Sequence, residues 1–268
     1  MMADIESADT GGDGAVGYGR LIGLGIALSA ELNHNKLMEM ILINAKEIAN
    51  ADGGTLYLAT EEEGLRFQII LNDSLRIAMG GTTGINIEFD DIPLHDPESG
   101  EPNHSNVCAH AALTGRSVNI EDAYQSTEFD FSGTKKFDEG TKYKSKSFLT
   151  VPLKDHEGDV IGVLQLLNAQ DADSGEVVPF DRSIQPLVEA LASQAAVSLN
   201  NEMLIEAQRK LLDSFIVLIA GAIDAKSHYT GGHCERVPEL TQLLALAACE
   251  SDDPRFRDFK LNDEQLYE

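Results

Sequence analysis

A chain of 268 residues with 43% apolar content holds enough material for one large domain or two ordinary ones, each with a proper core. Its 45 acidic against 20 basic residues give a formal charge of -25, which repels nucleic acid and anionic lipid and so argues against either as a partner.

The acidic, Gly-rich opening over residues 1–17 lacks periodicity and reads as a disordered tail. From Leu21 to Asn50 apolar residues recur at three and four, broken by the polar Asn33-His34-Asn35, which predicts a helical hairpin. Gly53-Gly54 is expected to turn the chain into the strand TLYLAT, and Glu63-Gly64 separates this from a second strand, LRFQIIL. A long, irregular, Gly-rich and charged connection follows over roughly residues 73–145, with one helix expected from Asn106 to Thr114. Connections of that length usually carry function. FLTVPLKD and VIGVLQLLN, joined by His156-Glu157-Gly158, predict a second hairpin. After Pro179 a helical apolar stripe runs from Ile184 to Ile223. A small domain cannot cover a helix that long, so part of the stripe is expected to pair in a parallel homodimer, a helix broken near Asn200-Asn201 being the local alternative.

Helix, helix, strand, strand, long connection, strand, strand, helix describes an α+β fold: an antiparallel sheet with helices packed on one face, a ligand-sized loop region on the other, and a long C-terminal helix leading into an all-α segment. Cys108, Cys234 and Cys249 lack C-x-x-C spacing, so neither a disulfide framework nor a zinc ribbon is indicated and a cytoplasmic location fits. No charged-then-apolar leader opens the sequence, and the longest apolar run, Phe215 to Ile223, is too short to span a bilayer.

Within the long connection, Lys135, Lys136, Lys142, Lys144 and Lys146 cluster against the acidic background, with Thr134, Thr141, Ser145 and Ser147 beside them. Such a patch suits a phosphate-bearing ligand, or else balances Asp130, Asp138 and Glu139 as a solvated loop. His104, Cys108 and His110 have metal-binding side chains but are too few for a site, and none is assigned. Near the end, AIDAKSHYTGGHCERV places Asp224, His228 and His233 around a Thr-Gly-Gly turn that starts a new helix.

Residues 18–200 resemble a GAF domain of the cyclic-nucleotide-phosphodiesterase type through NIEDAY (Asn119 to Tyr124), KFDEGTKYKSKSFLTVPL (Lys136 to Leu153) and GDVIGVLQLLN (Gly158 to Asn168). The resemblance implies a small-molecule sensor whose ligand, a cyclic nucleotide or another small anion, lies between the sheet and the long connection. It points to Asp138, Thr141, Ser145 and Gln165 as pocket residues, with Thr55, Asn72 and Cys108 as weaker additions, and to no metal or other cofactor for this domain. Asn168-Ala169 and Asp181-Arg182 depart from the family's Asn-Lys and Asp-Glu pairs, so its lysine–aspartate bridge cannot form in the same way.

GAIDAKSHYTGGHCERV resembles the opening of an HD-GYP domain, a metal-dependent phosphohydrolase family associated with hydrolysis of cyclic di-GMP. This implies a linker helix over 201–230 and an incomplete HD-GYP-like part over 231–268. His233 would ligate a divalent metal, Fe, Mn or similar, only in a complete domain, and no catalytic residue is assigned here. The leading expectation is a GAF sensor controlling such a phosphodiesterase; the alternatives are a metal-dependent phosphohydrolase fragment and a ligand-free dimerisation scaffold.

Overall fold

A computed structural model describes residues 23–31, 33–226, 233–262 and 265–266, without the side chains of 224–226 and 233–235. The expected tail over 1–17 lies outside these residues, as do the side chains of Asp224, His228, His233 and Cys234. The described chain divides into two units, one ending at Met203 and one beginning at Leu204.

In the first unit, a helix over 23–30 (α1) precedes α2, His34–Ala49. Asn33 caps α2 by accepting from the Lys36 N–H, and Asn50 ends it in the left-handed conformation with φ 45°. The chain then enters β1, Ala51–Ala59, and returns through β2, Gly64–Asn72. Here the structure corrects the expected turn at Gly53-Gly54, since both glycines lie inside β1. A Cβ on Gly54 would stand 2.8 Å from Leu42 Cδ1 and 3.1 Å from the Gln165 carbonyl, so the residue is small because α2 and a neighbouring strand press against it.

The connection is more ordered than its sequence suggests. It holds β3 (Ile77–Gly80), β4 (Ile92–Pro93), α3 (Val107–Thr114), β5 (Val118–Ile120) and α4 (Ser132–Thr141). The expected α3 is present, capped by Asn106; α4 carries no apolar stripe long enough to announce it. β6 (Phe148–Lys154) and β7 (Val160–Gln170) form the second hairpin, followed by β8 (Val177–Val178). Among the described residues the strands form one antiparallel sheet with the order β3-β2-β1-β7-β6-β5, with β4 on β2 and β8 on β7.

The two hairpins join through β1 and β7, where Leu56 faces Leu164 and Thr55 faces Gln165. The period of two along each strand then sorts side chains between two cores. Leu56, Leu164 and Leu166 pack with Leu37, Ile41 and Leu42 of α2 and with Val188, Leu191, Ala195 and Leu199 of a long helix, α5 (Gln185–Lys226). Tyr57, Val163 and Leu167 point the other way, toward Cys108, Phe129, Phe131 and Phe148. Helices therefore cover one face of the sheet and the long connection covers the other.

The second unit contains the rest of α5, which runs unbroken past Asn200-Asn201, together with α6 (His233–Glu250) and a 3-10 turn at Pro254–Phe256. Leu204, Leu211, Phe215 and Leu218 of α5 are each more than half exposed. No helix among the described residues is long and apolar enough to cross a membrane.

Candidate ligand cavity

A cavity of ≈ 500 Å³ opens on the face of the sheet covered by the long connection. β1 contributes Gly54, Thr55 and Tyr57, β7 contributes Gln165 and Leu167, and β2 contributes Phe67, Ile70, Leu71 and Asn72. The opposite wall is α4 through Gly133, Thr134 and Phe137, with Ser145 from the segment after it and Phe89 and Asp90 from the segment before β4. Volume and lining both match the usual small-molecule site, mostly apolar and aromatic with a few convergent polar groups.

The polar groups are held by buried and part-buried hydrogen bonds. Gln165 accepts from the Tyr57 hydroxyl at 3.4 Å and donates to the Thr150 hydroxyl at 3.3 Å, which orients its amide along the cavity floor. Asn72 accepts from the Leu75 N–H at 2.8 Å. Ser145 is fastened by Asp138, which is only 3% exposed: the Ser145 N–H and hydroxyl each donate to the Asp138 carboxylate at 2.7 Å, and the Tyr124 hydroxyl donates to it at the same distance. That bond, ahead of burial, pushes the Tyr124 phenol up to about 12.

A second anchor lies next to it. Asp52, also 3% exposed, accepts from the Ser74 hydroxyl at 2.7 Å and from the Tyr143 hydroxyl. Tyr143 in turn accepts from the Asn168 side-chain amide at 2.8 Å. Burial, and then Asp52, raise the Tyr143 phenol pKa, so it remains a donor at neutral pH. Asn168, at φ 53°, also accepts from the Lys146 N–H at 2.7 Å. The 143–147 segment is thus tied to β7 without a lysine at position 169, where Ala169 is buried. Asp181 accepts instead from the Ser183 N–H at 2.8 Å, and the Ser183 contacts hold its carboxyl below the usual range.

Of the sequence-derived site residues, Thr55, Asn72, Ser145 and Gln165 meet at the cavity. Asp138 lies behind Ser145, and Thr141 donates its hydroxyl to the Phe137 carbonyl at 2.9 Å near the end of α4, outside the lining. Cys108 is buried behind Tyr57; burial pushes its thiol up to about 12, which keeps it protonated and unreactive. None of the five clustered lysines lines the cavity, and Lys135 and Lys144 lie 5.5 and 4.8 Å from the centre of the Tyr124 ring. The aromatic wall, Tyr57, Phe67, Phe89, Phe137 and Phe148, is not legible in the sequence because its members come from five separate segments. Only the i, i+2 spacing of Thr55 and Tyr57 hinted at a shared face. Among the described residues no group of His, Cys, Asp and Glu side chains is arranged to hold a metal ion.

Known proteins agree with this architecture. The family model described as GAF domain matches residues 33–199. The chain is 31% identical over 150 residues to the dual 3',5'-cyclic-AMP and -GMP phosphodiesterase 11 of Drosophila melanogaster, covering 53% of this chain and 9% of that protein. It is 29% identical over 189 residues to the dual 3',5'-cyclic-AMP and -GMP phosphodiesterase 11A of Takifugu rubripes, covering 69% of this chain and 19% of that protein. The chain thus spans less than a fifth of the length of these curated relatives. Among solved structures, the GAF domain from a phosphoenolpyruvate-protein phosphotransferase of Coxiella burnetii superposes with a TM-score of 0.53 at 12% identity, covering 73% of this chain and 99% of that one, a likeness of fold alone. With more than half of its residues matched by the family model, the chain belongs to the GAF domain family.

Proposed function

We propose that the cavity binds a cyclic nucleotide, or a small anion of similar shape, and that the domain is a regulatory sensor. The supporting observation is the ≈ 500 Å³ cavity itself, aromatic on its walls and edged by Thr55, Asn72, Ser145 and Gln165. A planar base fits between aromatic side chains, and the amides of Asn72 and Gln165 suit its hydrogen-bonding edge. With no lysine in the wall, the negative end of the ligand is met by the hydroxyls of Thr134 and Ser145 and by the first turn of α4, which has no side-chain cap. The relatives named for cyclic AMP and cyclic GMP support the same ligand class. In this reading Asp138 positions Ser145 and does not touch the ligand.

The segment from about 231, where α6 begins at His233, is assigned to the start of an HD-GYP-type phosphohydrolase domain under the sensor's control, with His233 a metal ligand only when that domain is complete. Leu204, Leu211 and Leu218 recur every seven residues on an exposed stretch of α5, which supports a parallel homodimer; the cytoplasm is its proposed location.

Calorimetric titration with cyclic AMP, cyclic GMP and cyclic di-GMP tests the sensor. Saturable binding weakened roughly tenfold by Gln165→Leu is expected, the loss of about one buried hydrogen bond. Binding indifferent to both Gln165→Leu and Ser145→Ala would move the site elsewhere. No binding and no thermal shift with any nucleotide would favour the dimerisation scaffold.

A further inference from the structure

We infer a second binding site, for a small polyanion carrying phosphoryl or carboxylate groups, at the β5–β6 edge of the sheet. A cavity of ≈ 400 Å³ lies there between the turn after α3, strand β6 and the first turns of α5. Its polar wall is made by Arg116 and Ser117 of the turn, Lys154 at the end of β6, and Glu189 and Ser193 of α5. The cavity described above is lined by none of these residues.

Charge carries the argument. Among the described residues neither the Arg116 nor the Lys154 side chain has an ion-pair or hydrogen-bond partner, so both charges stay available to an anion in the cavity they line. The one carboxylate in the wall, Glu189, accepts instead from the Gln185 side-chain amide at 2.9 Å. Lys154 is held over Gly115, where a Cβ would stand 3.0 Å from its Cε and 3.2 Å from its Nζ. Gly115, left-handed at φ 61°, ends α3, so the ammonium complements the carboxyl end of that helix; Arg116 has no such role. The hydroxyls of Ser117 and Ser193 are also without partners among the described residues.

Two cations and two hydroxyl donors thus converge on one volume against a single carboxylate, an arrangement that favours an anion of two or more charges. Its size suits a small metabolite and not a folded partner. Because Glu189 and Ser193 belong to the helix that leaves the domain, occupancy would bear directly on α5.

Calorimetric titration of the full chain with pyrophosphate and, separately, citrate tests the site. The expected result is saturable binding that weakens as salt rises and falls by roughly tenfold or more in the Arg116→Ala/Lys154→Ala double variant. Glu189→Gln should tighten it, since the opposing charge is removed. Lys135→Ala/Lys144→Ala and Gln165→Leu should leave it unchanged, which separates this site from the lysine cluster and from the nucleotide cavity. Binding of pyrophosphate alone narrows the ligand to phosphoryl groups, and citrate alone to carboxylates. No saturable binding of either anion, or equal affinity in the double variant, overturns the proposal whether or not a cyclic nucleotide binds elsewhere.

Discussion

Replacing Asp138 tests how the cavity wall is held. Its carboxylate, 3% exposed, accepts three bonds at 2.7 Å, from the Ser145 N–H, the Ser145 hydroxyl and the Tyr124 hydroxyl. Hydrogen bonds to a charged group contribute about 1.5–3 kcal/mol each, and the Ser145 N–H, buried with its residue, would find no substitute. Because the three share one acceptor and are not additive, Asp138→Ala should cost about 3–5 kcal/mol. For a domain of this size that corresponds to a fall in Tm of roughly 6–20 °C. Asp138→Asn should cost much less, about 1–1.5 kcal/mol. Its remaining oxygen can serve the two donors that meet Oδ2, while its amide faces the Ser145 hydroxyl, which can rotate to accept. Urea unfolding followed by circular dichroism gives both values. An alanine variant within 1 kcal/mol of wild type, or an asparagine variant as damaged as the alanine one, would refute the positioning role.

Gly162 and Gly140 should respond to alanine with opposite signs in the same unfolding assay. A Cβ at Gly162 would lie 2.4 Å from the Tyr57 carbonyl and force β1 from β7, a loss of about 1–3 kcal/mol, whereas at Gly140 on α4 it meets nothing and should stabilise by about 0.5–1 kcal/mol. The Tyr124 phenol is raised to about 12 in the folded state against an ordinary value of 10.0, so its contribution is complete below pH 10 and lost as pH rises through 12. The alkaline arm of stability against pH should therefore flatten in Tyr124→Phe; an unchanged arm would exclude the bond to Asp138. Leu211→Asp/Leu218→Asp should convert a dimer to a monomer in sedimentation velocity without lowering the Tm of the first unit, and a wild-type chain that sediments as a monomer would contradict the pairing of α5.

Much of the fold is legible in local pattern. Strand-length apolar runs bounded by turn residues, TLYLAT and VIGVLQLLN, mark β1 and β7, Asn106 announces α3 through its cap, and the stripe from Ile184 onward predicts α5 at nearly its true length. These signals are local because side-chain periodicity and capping are properties of a few consecutive residues. Gly53-Gly54 misleads for the same reason: a glycine pair reads as a turn, whereas the cause of its smallness is Leu42, a residue of another element. Likewise α4 has a polar sequence and is fixed by Asp138, whose partners lie at Tyr124 and Ser145.

Local pattern specifies the α+β class, the two hairpins and the long helix, and family resemblance points to Thr55, Asn72, Ser145 and Gln165, which line one cavity. Contacts between distant residues place Asp138 and Cys108 behind the wall, assemble it from five aromatic rings, and set Lys135 and Lys144 over Tyr124, with none of the clustered lysines in the cavity lining. Which way a side chain points is set by the register of β1 on β7 and by the seating of α4 across them, and both depend on contacts between residues distant in sequence.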